Sequence, residues 1–421
     1  MLKNLKFPTL LLFFSSILFF FSCSRSTVWK GQGPLKKVST RTRPIQQQVK
    51  MTYDLGDGIY CSNEFQGARL NGMSREVDTL TALITPENTP INSSPWYAFK
   101  AWSDTEKEIY LKLTYLDSYN HRYYPKVSKD ALHWERLDSS NYFVDTTYTD
   151  DGKIKKHISM KLNIGPDTLW ISAQELITSK HIYAWAKELA VKPYISMTEL
   201  GKSKNGNPIN ILKIGFADDK KLVMVLSRQH PPEITGYLAM KSFVETLCAE
   251  NELTKRFREK YNIYVIPLVN PDGVDNGHWR HNAGGIDLNR DWKDFNQPET
   301  KLIRDFTKNM IKETGGKFYI GIDFHSTSHD IYYTINPDKK GNMPGLIPEM
   351  IKAMGNEIDG YEPNIRPNSD SSPKISSLNY FFYQLDAEAL TFEIGDNTSR
   401  ERIKLKGELA AIKMMDLMLR K

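Results

Sequence analysis

Four short runs constrain the fold of this chain more than any other feature. LVMVLS at 222–227, IYVIPLV at 263–269, FYIGIDF at 318–324 and LTFEIG at 390–395 are apolar almost throughout. A strand with one wet face alternates apolar and polar residues. These runs do not, so both of their faces must be covered, as in a sheet with helices on either side. Stretches with helical spacing of apolar residues separate them, around 234–248, 299–313, 346–357 and 401–420, and HIYAWAKELA at 181–190 precedes them. The expectation is an α/β domain over 174–421, with a mixed central sheet flanked by helices.

The region before it has a different period. WYAFKAW, EIYLKLTYL, ALHWERL, YFVDTTYT and HISMKL alternate apolar and polar residues, with turn residues between them. Residues 51–173 are therefore expected to form an antiparallel β-sandwich, its aromatics filling the core. A chain of 421 residues accommodates two such domains.

The N-terminus is read as an address. MLKNLK carries two lysines, FPTLLLFFSSILFFF is apolar, and small residues follow, the order of a secretory signal. Phe20-Phe21-Ser22-Cys23 resembles the lipobox of bacterial lipoproteins. The expectation is a signal over 1–22 and a lipidated Cys23 in the bacterial cell envelope, facing the periplasm or on the outer membrane. Residues 23–50, with seven Lys or Arg and no acid, read as a basic, mobile tether. Losing Lys3 and Lys6 with the signal lowers the formal charge from +6 to +4, too little to argue for nucleic acid. Cys61 and Cys248 are expected as free buried thiols.

Position marks the candidate site. In open α/β sheets functional groups collect at the carboxyl ends of the strands. His230 and Glu233 of HPPE follow the first apolar run, NPDGVDNGHWRHNAGGIDLNRDW follows the second, His325 follows the third and Glu393 lies in the fourth. Two histidines and a glutamate suit catalytic zinc, which takes three protein ligands and leaves a position for water. Water bound there has a pKa near 7, and a further carboxylate must take and return its proton. His278 and His281 form another short pair and His329 follows His325; these are read as supporting or surface groups. His121, His133 and His157 are read as structural.

HPPE, NGHWRHNAGGIDLNRDW, DFHSTS and LTFEIGD, in this order, resemble the motifs of the M14 zinc carboxypeptidases. The resemblance spans roughly 195–400 and starts at ELGKSKNGNPINILKIG. With the β-rich region in front, the chain is similar to the cytosolic carboxypeptidase branch and its bacterial relatives. The resemblance implies one zinc held by His230, Glu233 and His325, and Glu393 as the base that activates water. It implies Arg280 polarising the scissile carbonyl, with Asn289 and Arg290 clamping the terminal carboxylate of a peptide. The family's mobile tyrosine has three candidates, Tyr361, Tyr380 and Tyr383, of which Tyr380 is preferred. Arg366 and Lys374 could favour an acidic side chain or lie in a solvated loop. The implied activity is hydrolysis of a C-terminal amide bond by zinc-activated water. A deacylase or amidohydrolase acting on cell-wall peptides or N-acyl amino acids shares that chemistry, and a non-catalytic peptide- or glycan-binding lipoprotein is the alternative of another class.

Overall fold

The computed structural model describes residues 31–116, 119–148, 152 and 154–421. The signal, Cys23 and the start of the basic segment lie outside the described residues. Residues 31–421 form one compact unit.

Residues 52–172 build two facing sheets. The six-stranded one contains Ile59–Ser62, Ala98–Ser103 and Leu169–Ser172; the five-stranded one contains Thr79–Ile84, Lys107–Tyr115 and Ile154–Ile164. Cys61, Phe99, Ala101 and Ile171 of the first pack on Leu80, Leu111, Leu113, Ile158 and Met160 of the second. The sandwich is not wholly antiparallel: Thr79–Ile84 runs parallel to Lys107–Tyr115. The chain crosses to the other sheet as Ala98–Ser103 between these two strands, and so returns in the same direction.

The eight-stranded sheet runs in the order Ile195–Lys202, Pro208–Ile214, Asn262–Ile266, Lys221–Ser227, Lys317–Thr327, Glu388–Gly395, Ile331–Thr334, Ile365–Pro367. The four strands from Asn262–Ile266 to Glu388–Gly395 are mutually parallel, with antiparallel pairs flanking them. Their sequences are apolar on both faces because both faces are covered. Val223, Val225, Phe324 and Phe392 pack under helices Ile234–Leu247, Leu346–Gly355 and Arg400–Arg420. Leu222, Met224, Leu226 and Ala389 pack under Pro298–Thr314 and Ser377–Leu385. Among the described residues no helix is long and apolar enough to cross a membrane. Cys61 and Cys248 are free and buried.

The basic segment differs from expectation where it is described. Residues 31–50 are largely exposed, yet they are tied to the fold at several points rather than free of it. Gln32 pairs with Asn368, Leu35 N–H donates to Ser372 Oγ at 3.0 Å, and the buried Thr40 accepts from Asn296 and Gln297. Arg43 donates to Gly285 O, and Gln48 donates to Ala68 O. Composition suggested a linker, but these backbone and amide groups have partners in the fold, and that satisfaction fixes the segment.

Candidate active site

Four adjacent parallel strands end on one rim, and each delivers a piece of the site. Lys221–Ser227 ends just before the turn 228–233, which carries His230; Glu233 stands at the N-terminal boundary of helix Ile234–Leu247, its side chain making no capping bond. His325 and Glu393 are register partners on neighbouring strands, so their side chains share a face. Asn262–Ile266 leads into the irregular segment that carries Arg280, Asn289 and Arg290.

His230, Glu233 and His325 converge. His230 Nδ1 lies 2.8 Å from Glu233 Oε1, His325 Nδ1 lies 2.7 Å from Glu233 Oε2, and the two Nδ1 atoms are 3.2 Å apart. All three residues are buried, and one ligand atom from each falls within 4.8 Å of the others. Two imidazole nitrogens and a carboxylate are a zinc donor set. Each imidazole is also held from behind: His230 Nε2 by Asp287 Oδ1 at 2.9 Å, His325 Nε2 by Asp323 Oδ2 at 2.8 Å. Such carboxylates fix the tautomer and the ring orientation of metal-binding histidines. Asp323 is held in turn by Gln229 Nε2 and the Ser377 hydroxyl. The residues fit the metal.

The electrostatics agree with a cation site. Burial alone would raise the Glu233 carboxyl, but His230 and His325 hold it well below the usual range. Burial would lower His325, yet Asp323 and Glu233 push it well above its ordinary value. A cation among these groups replaces the proton, so metal binding here depends on pH. Glu393 goes the other way. Burial, then the charge of Glu233, raises it to about 7. Its Oε2 is buried and has no hydrogen-bond partner among the described residues. An unbonded carboxylate oxygen beside a metal-binding set is placed to receive a proton.

The cavity in front of this group has a volume of about 160 Å³, and His230, Glu233, Arg280, Asn289, Arg290 and Glu393 line it. Asp287 ties them together. It accepts from Arg280 Nε at 2.7 Å and from Asn289 N–H at 2.9 Å, lies 4.0 Å from Arg290 Nη1, and also holds His230. Burial would raise it; Arg280, Arg290 and His230 hold it well below the carboxylate range.

Tyr380 is not brought to this cavity. It packs on Trp292 and Phe295, and its hydroxyl bonds to Thr307 Oγ1 at 2.6 Å. On helix Ser377–Leu385 it falls on the face turned to the core. Tyr361 bonds to Tyr332, and Lys374 sits over the ring of Tyr383, also away from the cavity. Arg366 is bonded to Asn364 in an exposed position. The tyrosine that lines the cavity is Tyr333, opposite Thr391 in register; burial, then the charge of Glu393, raises its hydroxyl. Sequence reasoning missed it, along with Asp287, Asp323 and Arg122, which also lines the cavity and pairs with Asp396 at 2.8 Å. The two acids had a signal: each stands two residues before a residue already singled out.

The zinc carboxypeptidase family, Peptidase_M14, matches residues 182–374. The chain is 24% identical over 264 residues to an uncharacterized protein of Zymomonas mobilis, covering 61% of this chain and 65% of that protein. It is 28% identical over 210 residues to cytosolic carboxypeptidase 2 of Danio rerio, covering 46% of this chain and 29% of that one. The chain thus spans less than two thirds of the length of these relatives. The fold is shared with a metallo-carboxypeptidase from Burkholderia cenocepacia, at a TM-score of 0.71 and 18% identity, covering 86% of this chain and 99% of that one. It is also shared with a metallo-carboxypeptidase from Pseudomonas aeruginosa, at a TM-score of 0.67 and 20% identity, covering 85% and 98%.

Proposed function

From the premise that this chain carries a zinc carboxypeptidase domain of the M14 peptidase family, we propose that it removes the C-terminal residue of a peptide bearing a free carboxylate. The observation that carries this reading is Glu393: a half-buried side chain whose Oε2 is buried and unbonded, in register with His325, at the edge of a cavity walled by Arg280 and Arg290.

His230, Glu233 and His325 would hold one zinc ion, which supplies Lewis-acid polarisation and makes water nucleophilic at neutral pH. Arg290 receives the terminal carboxylate of the peptide, helped by the Asn289 amide, whose own carbonyl is fixed by Ser377 N–H at 3.0 Å. Arg280, aimed by its pair with Asp287, stabilises negative charge on the scissile carbonyl oxygen as the carbon becomes tetrahedral. Glu393 takes one proton from the attacking water and delivers it to the departing amine. The C–N bond breaks, and one water is consumed per new carboxylate and amine.

The test is Glu393→Gln. The amide keeps shape and cannot accept the proton, so turnover should fall roughly 100-fold or more while zinc content and thermal midpoint hold. Turnover within a few-fold of the parent would remove Glu393 from this role.

The address of the protein is proposed on sequence grounds alone: an exported bacterial lipoprotein of the cell envelope, joined to the membrane by a lipid on Cys23. The basic n-region, the apolar run and Phe20-Phe21-Ser22-Cys23 support it. Incorporation of a fatty-acid probe should disappear in Cys23→Ser; unchanged labelling would remove the anchor.

A further inference from the structure

The segment that carries Arg280 is gripped from the sandwich. Glu87, fully buried, accepts three successive backbone N–H groups: Trp279 at 2.8 Å, Arg280 at 3.0 Å and His281 at 2.7 Å. Its neighbour Asn88 contacts His281 Nδ1 at 2.6 Å and donates to Gly285 O at 3.1 Å. Trp279 enters the sandwich core, donating its indole N–H to Trp96 O at 3.1 Å and packing edge-on to Tyr119. The backbone of Arg280 is thus held between a carboxylate and an indole plug, and its side chain turns to the cavity. Glu87 itself does not line that cavity.

We infer that Glu87 is a positioning residue for the reaction: by clamping the 279–281 backbone it sets where the Arg280 guanidinium meets the substrate, and so makes the sandwich part of the catalytic apparatus. The inference rests on the proposed role of Arg280. Three donors converging on one carboxylate define its position far more tightly than a single bond. Asp287 then fixes the other end of the residue at Nε. A guanidinium that stabilises charge formed only in the transition state is sensitive to displacement, and about 1 Å can cost on the order of 100-fold. Arg290 lies in the separate turn Leu288–Arg290 and is not gripped by Glu87, so carboxylate binding should change less than turnover.

The experiment uses the zinc-loaded full chain and one peptide substrate. Glu87→Gln keeps the shape but turns an amide N–H₂ toward a backbone N–H. It should lower kcat about 10-fold or more, leave KM within about 2-fold and leave zinc content unchanged. Asn88→Ala, at a half-buried position, should lower kcat by about 3-fold with the same KM, and serves if the first variant does not fold. A phosphonate mimic of the tetrahedral state should lose affinity in proportion to kcat/KM. Folded, zinc-loaded variants with unchanged kcat overturn the inference, as does a rise in KM with kcat intact. Arg280→Lys separates the two levels: if it retains full kcat, the role of Arg280 fails first; if it loses kcat while both Glu87 and Asn88 variants do not, only the clamp is wrong.

Discussion

Asp287→Asn is a sharp perturbation, because one carboxylate serves three groups. Oδ1 holds His230 Nε2 at 2.9 Å and accepts Asn289 N–H at 2.9 Å; Oδ2 holds Arg280 Nε at 2.7 Å. The amide changes shape little and removes one charge, leaving Arg280 without its ion-pair partner at a buried position. Carboxylates behind a metal-binding histidine contribute roughly 10- to 100-fold in metal affinity, about 1.4 to 2.7 kcal/mol. The Arg280 pair adds a separate loss in the transition state, since removing one partner of a buried charged hydrogen bond costs about 1.5–3 kcal/mol. Zinc affinity should therefore drop on the order of 10-fold or more, and kcat/KM at saturating zinc should drop a further 10-fold or more. Competition against a chromophoric chelator reads the first quantity, and kinetics with excess zinc reads the second. A variant within 2-fold of the parent on both counts would refute the view of Asp287 as the tie between metal and arginine.

Three more outcomes follow from the same geometry. His325→Ala leaves two protein ligands, so the purified variant should hold far less than the one zinc per chain expected of the parent, measured by metal analysis; full occupancy would mean that the ligand set is misassigned. Glu393 must be ionised to accept a proton, so activity should rise with pH through its pKa; burial and Glu233 set it near 7 without metal, and a cation pulls it down, placing the acidic limb between about 4.3 and 7, whereas a flat profile over that range, with zinc content constant, would contradict it. For Glu87, burial is outweighed by His278, His281, Arg69 and the His281 N–H, which hold it at about 2; a folded pKa below the unfolded one means stability present above about pH 4.5 and lost as pH falls toward 2, up to roughly 3 kcal/mol, so the gap in denaturant midpoint between the parent and Glu87→Gln should shrink from pH 6 to pH 3, and a constant gap would count against that carboxylate being charged.

Much of the site is legible in the sequence because the geometry of a parallel sheet does the gathering. Strands 221–227, 317–327 and 388–395 are apolar on both faces, hence central, and central parallel strands end side by side, which brings His230, His325 and Glu393 together without knowledge of any loop. What failed depended on which neighbour a residue finds. Tyr380 lies on a helix where one turn decides between cavity and core, and Trp292, Phe295 and Thr307 take it into the core. Tyr333 reaches the cavity through an antiparallel pairing with 388–395 that no local pattern announces. Residues 31–50 have the composition of a linker, yet Gln32 and Leu35 line the cavity, held by bonds to partners more than 300 residues away. The grip of Glu87 on 279–281 spans nearly 200 residues and two folding patterns, and nothing near either end signals the other.

In the proposed reaction Arg290 and Asn289 receive a free terminal carboxylate while Glu393 works on the bond before it. The direct measurement compares one peptide with a free C-terminus and the same peptide amidated, using zinc-loaded protein and mass spectrometry of the released residue. A guanidinium–carboxylate contact in this partly buried cavity is worth about 1.5–3 kcal/mol, so amidation should reduce kcat/KM on the order of 10- to 100-fold or more. Equal cleavage of the two peptides would contradict the carboxypeptidase reading while leaving a zinc hydrolase in place.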